Sequence, residues 1–126
     1  MKEIKTLTRS EFQVMSILWN LPTKAGCAGD ILARYEDPKP AYTTLATFLK
    51  ILTNKGFVNY VKKGNKLYYT PTVPKSRYAE IYLAPAKDIF FDGSFIDMIR
   101  FFIKKAQPTD EELTQLEQLA REAREK

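Results

Sequence analysis

The chain has 126 residues, 44% hydrophobic and 28% charged, which is typical of a globular protein with one domain or two small ones. It contains no histidine and a single cysteine, which excludes the commonest general base, the usual zinc ligand sets and an intrachain disulfide. The net charge is +5, but residues 1–83 carry 13 Lys and Arg against 6 Asp and Glu, whereas residues 84–126 carry 7 against 9.

The charge asymmetry suggests that only the first two thirds of the chain meets a polyanion. Polar or charged residues interrupt each long apolar stretch before the ~20 residues that a membrane span needs, so no membrane insertion is expected. We expect a cytoplasmic protein without cofactor or metal, in which Cys27 is a small core residue.

The chain is predicted to open with two helices. Thr8 and Glu11 match a capping box, and apolar residues then recur at helical spacing, so the first helix is predicted over residues 9–20. A brief second helix is predicted over 30–35 from the apolar residues Ile31 and Leu32, and it should end before Asp37-Pro38 because the residue before a proline disfavours helical geometry. The first of these helices should bury one face.

The most regular segment follows, and a change of period ends it. Apolar residues at helical spacing predict a third helix over 41–55, with Gly56 where a C-cap glycine belongs. The opposite face of this helix carries short polar or cationic side chains and no acid. The period then falls to two, which predicts short strands at 57–62 and 66–70 joined by a tight turn.

Helical patterns return after Pro74. Pro85 predicts a kink or break within residues 75–91. Ser94 can cap a further helix with an apolar stripe, and Thr109 opens a last helix whose leucines form a narrow seam. Such a seam is typical of a helix that packs on one partner surface.

Three helices followed by a hairpin describe a winged helix-turn-helix, in which the third helix enters the major groove and the hairpin follows the phosphate backbone. The predicted fold is therefore mainly α with a small β-hairpin. A DNA-binding domain is predicted over residues 1–74 and a helical dimerisation domain over 75–126. Taken singly, the threonines of the third helix fit a solvated face and the hairpin lysines fit a solubilising tip; their combination favours DNA.

Two groups of residues are specific in combination: Leu7-Thr8-x-x-Glu11-Phe12-x-Val14-Met15-x-x-Leu18-Trp19, and Tyr42-Thr43-Thr44-Leu45 with Lys55-Gly56-Phe57-Val58. They resemble the penicillinase-repressor family, and the similarity extends over nearly the whole chain. The resemblance implies a homodimeric bacterial repressor that binds a palindromic operator and dimerises through its carboxy-terminal helices.

Two sets of site residues are predicted from the pattern and this resemblance together. The predicted DNA contacts are Arg9, Lys39, Tyr42, Thr43, Thr44, Ala46, Thr47, Lys50, Lys62, Lys63, Asn65 and Lys66. The predicted dimer interface comprises Tyr82, Phe95, Met98, Ile99, Phe102, Ile103, Leu113, Leu116 and Leu119. No catalytic or metal-binding residue is predicted.

The chain departs from the family pattern at two places. Some members have an arginine where this chain has Ala46, so the operator sequence does not carry over. Antibiotic-resistance members are inactivated by a sensor protease at an Asn-Phe pair, which Phe101 and Phe102 replace here, so an upstream membrane sensor protease stays an open partner. The competing interpretation is a winged-helix scaffold module without DNA binding; no convergent catalytic group favours an enzyme.

Overall fold

The computed structural model describes residues 6–125 and divides the chain into two compact units, one ending at Tyr82 and the other spanning Leu83–Lys126. The first unit contains three helices, a hairpin and a fourth helix; the second contains three helices. The helices are α1 (Arg9–Asn20), α2 (Ala28–Leu32), α3 (Tyr42–Lys55), α4 (Lys75–Leu83), α5 (Ala86–Phe91), α6 (Phe95–Ala106) and α7 (Asp110–Arg124), and the strands are β1 (Val58–Lys63) and β2 (Lys66–Pro71). The predicted winged helix with a helical tail is confirmed.

Helix α1 begins at the predicted capping box. The Thr8 hydroxyl accepts a hydrogen bond from the Glu11 amide at 3.2 Å, and the Glu11 carboxylate accepts one from the Thr8 amide at 3.1 Å. The helix ends where Leu21 adopts extended backbone before Pro22. Its predicted bounds are confirmed.

Helix α2 starts two residues earlier than predicted and ends three residues earlier. The Asp30 carboxylate accepts a hydrogen bond from the Cys27 amide at 3.1 Å, so it caps the helix from the third helical position instead of opening it. Cys27 is buried, as expected of a small core residue.

Helix α3 packs its leucine face into the core of the first unit. It begins at Tyr42, one residue later than predicted, because Ala41 is the extended N-cap. Leu45, Leu49 and Leu52 are fully buried. The predicted C-cap is confirmed at Gly56, whose φ of 82° is left-handed and therefore suits glycine.

The hairpin pairs β1 and β2 antiparallel, with Tyr60 opposite Tyr69 and Lys63 opposite Lys66. Its turn therefore has two residues, Gly64 and Asn65, instead of the predicted three. A short third pairing was not predicted: the Gly26 amide donates to the Tyr69 carbonyl at 3.0 Å, and the Tyr69 amide donates back at 2.8 Å.

The core of the first unit extends into α4. The Trp19 indole N–H donates to the Val73 carbonyl at 2.9 Å, and the Tyr78 hydroxyl accepts from the Leu7 amide at 2.9 Å. The Tyr78 ring is buried and lies 5.6 Å from the ring of Phe57. Because these contacts hold α4, the first compact unit continues through Tyr82, eight residues past the predicted domain end.

The helical segment after Pro74 is broken at Pro85, as predicted, since Pro85 is the N-cap of α5. In the second unit, Ser94 caps α6 through the Asp97 amide at 3.0 Å, and Thr109 opens α7 with the predicted capping box. None of the described residues of this unit, 83–125, is buried within the single chain. No helix among the described residues is long and apolar enough to cross a membrane.

Candidate nucleic-acid interface

The exposed face of α3 presents small hydroxyl, methyl and amine groups. The buried leucines of α3 hold one face of the helix in the core, so the side chains on its other face point outward. Thr43, Thr44, Ala46, Thr47 and Lys50 are all exposed. Hydroxyls can bond base edges, methyl groups can contact the thymine methyl, and a lysine can neutralise a phosphate.

Thr47 has a defined hydroxyl orientation. Its Oγ1 donates to the Thr43 carbonyl one turn earlier at 3.0 Å. The hydroxyl proton is therefore engaged within α3, while the hydroxyl oxygen can still accept a hydrogen bond and the residue as a whole is exposed. Thr47 thus suits contact with a base amino group or a thymine methyl.

A cleft of about 410 Å³ joins the start of α3 to the hairpin. Tyr42 and Ala46 line it from α3, and Asn65 and Lys66 line it from the turn and β2. Four of the predicted DNA-contacting residues therefore lie around one depression. Tyr42 is 61% exposed, so its phenol can also contact a bound molecule outside the cleft.

The hairpin tip concentrates positive charge. Lys62, Lys63, Asn65 and Lys66 are exposed. Lys63 and Lys66 are directly opposed across the two strands, an arrangement in which like charges repel. Lys62 lies one residue away on β1, so its side chain projects from the other face of the hairpin. A phosphate backbone along the tip would relieve this repulsion.

Arg9 and Lys39 lie apart from the cleft lining. Arg9 is the first residue of α1 and Lys39 lies in the segment before α3; both are exposed. Their place in a DNA interface stays a prediction.

Two carboxylates of the first unit are engaged in contacts within the fold. Burial opposes ionisation of Glu11, but hydrogen bonds from Lys55 and Thr8 and the Lys55 charge hold the pKa of Glu11 below its ordinary value. The hydrogen bond from the Cys27 amide lowers the pKa of Asp30, with a smaller contribution from the charge of Lys66. Both groups are therefore anionic near neutral pH and are held by local partners.

Tyr69 is a cleft residue that the sequence interpretation missed. Burial, with the neighbouring phenols of Tyr60 and Tyr42, raises the pKa of Tyr69 above its ordinary value, so its hydroxyl stays neutral and can donate a hydrogen bond. The alternation along β2 could have placed Tyr69 on the same face as Leu67, which also lines the cleft.

The second unit exposes a groove of about 290 Å³ between α6 and α7. Ile99, Phe102, Ile103, Leu116 and Leu119, all predicted interface residues, line it. Three further predicted interface residues of this unit are exposed or half-buried elsewhere on α6 and α7: Phe95, Met98 and Leu113. Tyr82 belongs instead to the first unit, where its ring stacks on Tyr78 at 5.9 Å.

Residues 7–122 match the sequence profile of the penicillinase repressor family. The chain belongs to this family. A penicillinase repressor of Bacillus licheniformis is 28% identical over 125 residues, which cover 97% of this chain and 94% of the relative. Membership in the penicillinase repressor family makes the chain a DNA-binding transcriptional repressor, and the winged helix provides the corresponding architecture.

Proposed function

We propose that this member of the penicillinase repressor family acts as a homodimer that occupies a palindromic operator in a bacterial promoter. The observation that carries the proposal is the acid-free exposed face of α3 beside a lysine-rich hairpin. A helix with this surface can enter the major groove while the hairpin lies along a phosphate backbone.

Within this proposal, the two elements have different tasks. The side chains of Thr43, Thr44, Ala46 and Thr47 contact base edges and determine which half-site is bound. The hairpin lysines and Lys50 neutralise phosphates and contribute affinity that does not depend on sequence. Ala46 can contact only apolar groups such as the thymine methyl, so its position selects bases by shape and not by hydrogen bonding.

The homodimer is supported by the apolar surface of the second unit. Phe95, Phe102 and Leu119 are each more than half exposed in the single chain. Contiguous exposed apolar surface marks interaction sites, and a second copy of the chain would offer the same apolar helices in return. A two-fold dimer would present two copies of α3 to two related half-sites.

The test is binding of the purified protein to labelled duplexes from the upstream region of its own gene, with a scrambled duplex as control. Fluorescence anisotropy at about 50 and about 200 mM salt separates sequence preference from charge attraction. We expect one fragment to bind tightly with clear preference over the scramble, and its footprint to show two symmetric half-sites. Weak binding without preference at either salt concentration would contradict the proposal and favour a scaffold that recruits protein.

A further inference from the structure

An ion pair joins the start of α1 to the end of α3. Among the residues the structure describes, Glu11 is the one buried charged residue, with 5% of its surface exposed. The Nζ atom of Lys55 lies 2.5 Å from Oε1 of Glu11 and also donates to the Thr6 carbonyl at 3.3 Å. The last residue of α3 is thus tied to the first turn of α1 and to the segment before it.

Apolar contacts already hold α3 in the core beside this ion pair, in which the Glu11 side chain is buried and the Lys55 side chain is 22% exposed. Three fully buried leucines of α3 already pack in the core, and replacing a buried ion pair by well-packed hydrophobic groups is often neutral or stabilising. Apolar packing has little directionality, whereas a short charged hydrogen bond fixes both distance and direction. The ion pair therefore adds directional constraint that the leucines do not supply.

That constraint affects the opposite end of α3. Lys55 is the last residue of the helix and Tyr42 is the first. At 1.5 Å per residue the two ends are about 20 Å apart, so a rotation of about 5° at Lys55 displaces the start of the helix by about 2 Å. A displacement of that size breaks hydrogen bonds to base edges, which weaken steeply beyond their normal distance.

We infer that Glu11 and Lys55 are positioning residues that orient α3 for base recognition, so that operator preference depends on their ion pair. The inference rests on the proposed function. It predicts that sequence preference can be lost while the fold and the charge attraction to DNA are kept.

The deciding variant is the full chain with both Glu11→Gln and Lys55→Met. Glutamine keeps an acceptor for the Thr8 amide and serves a capping box as well as glutamate does, so α1 keeps its cap. We expect the double variant to unfold near the wild-type temperature but to lose about tenfold of its preference for the operator over the scramble. Lys55→Met alone should unfold at a clearly lower temperature, because it leaves the buried carboxylate unpaired.

Two further variants serve as controls. Lys55→Arg keeps the cation and should keep operator preference. Glu80→Gln with Arg77→Met removes an exposed ion pair within α4 in the same way, and should alter neither stability nor preference. If the double variant does not fold, the operator preference of Glu11→Gln alone is measured instead, since this variant removes the charge pair and keeps the helix cap.

The outcomes separate this inference from the function on which it rests. A wild-type protein that prefers its operator, with a folded double variant that prefers it equally, overturns the positioning role alone. A wild-type protein without any preference refutes the proposed function and the inference with it. Loss of preference in the folded double variant, together with its retention in Lys55→Arg, supports the positioning role.

Discussion

At the scale of single residues, the threonines of α3 offer the sharpest test of base recognition. We expect Thr44→Ala or Thr47→Ala to weaken operator binding about fivefold, the value of one hydrogen bond, and to leave binding to scrambled duplex nearly unchanged. Thr114→Ala is the matched control for Thr47→Ala. Like Thr47, Thr114 donates to the carbonyl four residues earlier, but it lies on α7. Equal losses on both duplexes, measured by anisotropy, would remove these threonines from base recognition.

Glu11 predicts a pH dependence of folding stability. The pKa of Glu11 is lower in the folded chain than its ordinary value. Its ionised carboxylate therefore stabilises the fold fully at pH values above the ordinary pKa. The contribution should disappear as the pH falls through the lowered folded-state pKa. Urea unfolding of wild type and Glu11→Gln over a pH series measures it: the wild-type advantage should shrink in acid. If the stability difference between wild type and Glu11→Gln grew as the pH fell, the expected direction of the pKa shift would be wrong.

At the scale of elements, the hairpin should account for part of the salt dependence of DNA binding. We expect Lys63→Gln with Lys66→Gln to make the logarithmic dependence of affinity on salt shallower by about 0.9 for each phosphate that is no longer neutralised, with operator preference kept. Lys104→Gln with Lys105→Gln removes the same charge from the end of α6 and should leave the slope unchanged. An unchanged slope in the hairpin variant would place the hairpin away from the phosphates.

The elements also show which features were accessible from sequence. Capping boxes, helical periodicity and the C-cap glycine operate within one or two turns, so α1, α3, α6 and α7 could be predicted from local residues. The pairing of Gly26 with Tyr69 and the contact of Glu11 with Lys55 join residues more than 40 positions apart. Such contacts depend on how the helices pack, which periodicity does not specify. The short α2 was misplaced because Asp30 fits either the start or the third position of a helix.

The candidate site could be predicted in composition but not in arrangement. The acid-free face of α3 and the lysines of the hairpin follow directly from helical and strand periodicity. The cleft that brings Tyr42 next to Asn65 and Lys66 depends on the angle between α3 and the hairpin, which no local signal encodes. Tyr69 was missed because its importance comes only from this packing.

At the scale of the whole molecule, we expect the second unit to control the oligomeric state. Phe102 is 54% exposed and lines the groove between α6 and α7. Phe102→Asp places a charge on this apolar surface, whose burial would then cost several kcal/mol, so sedimentation should show monomers. Operator affinity should fall with the oligomer because each subunit contacts one half-site.

A control variant tests whether charge alone causes the effect. Gln118→Asp adds the same charge to α7, two residues from Leu116 and therefore on a different side of the helix. It should stay dimeric. A Phe102→Asp protein that sediments like the wild type would place the interface elsewhere on the chain.

The division of the chain at residue 82 separates its chromophores. The single tryptophan and all seven tyrosines precede Leu83, whereas phenylalanines are the aromatic residues of the second unit. Tryptophan fluorescence therefore reports on the first unit alone, through an indole that is buried and bonded to Val73. Far-ultraviolet circular dichroism, by contrast, records the helices of both units. Comparing the two signals during unfolding shows directly whether the units melt as one cooperative system or independently, without any added label.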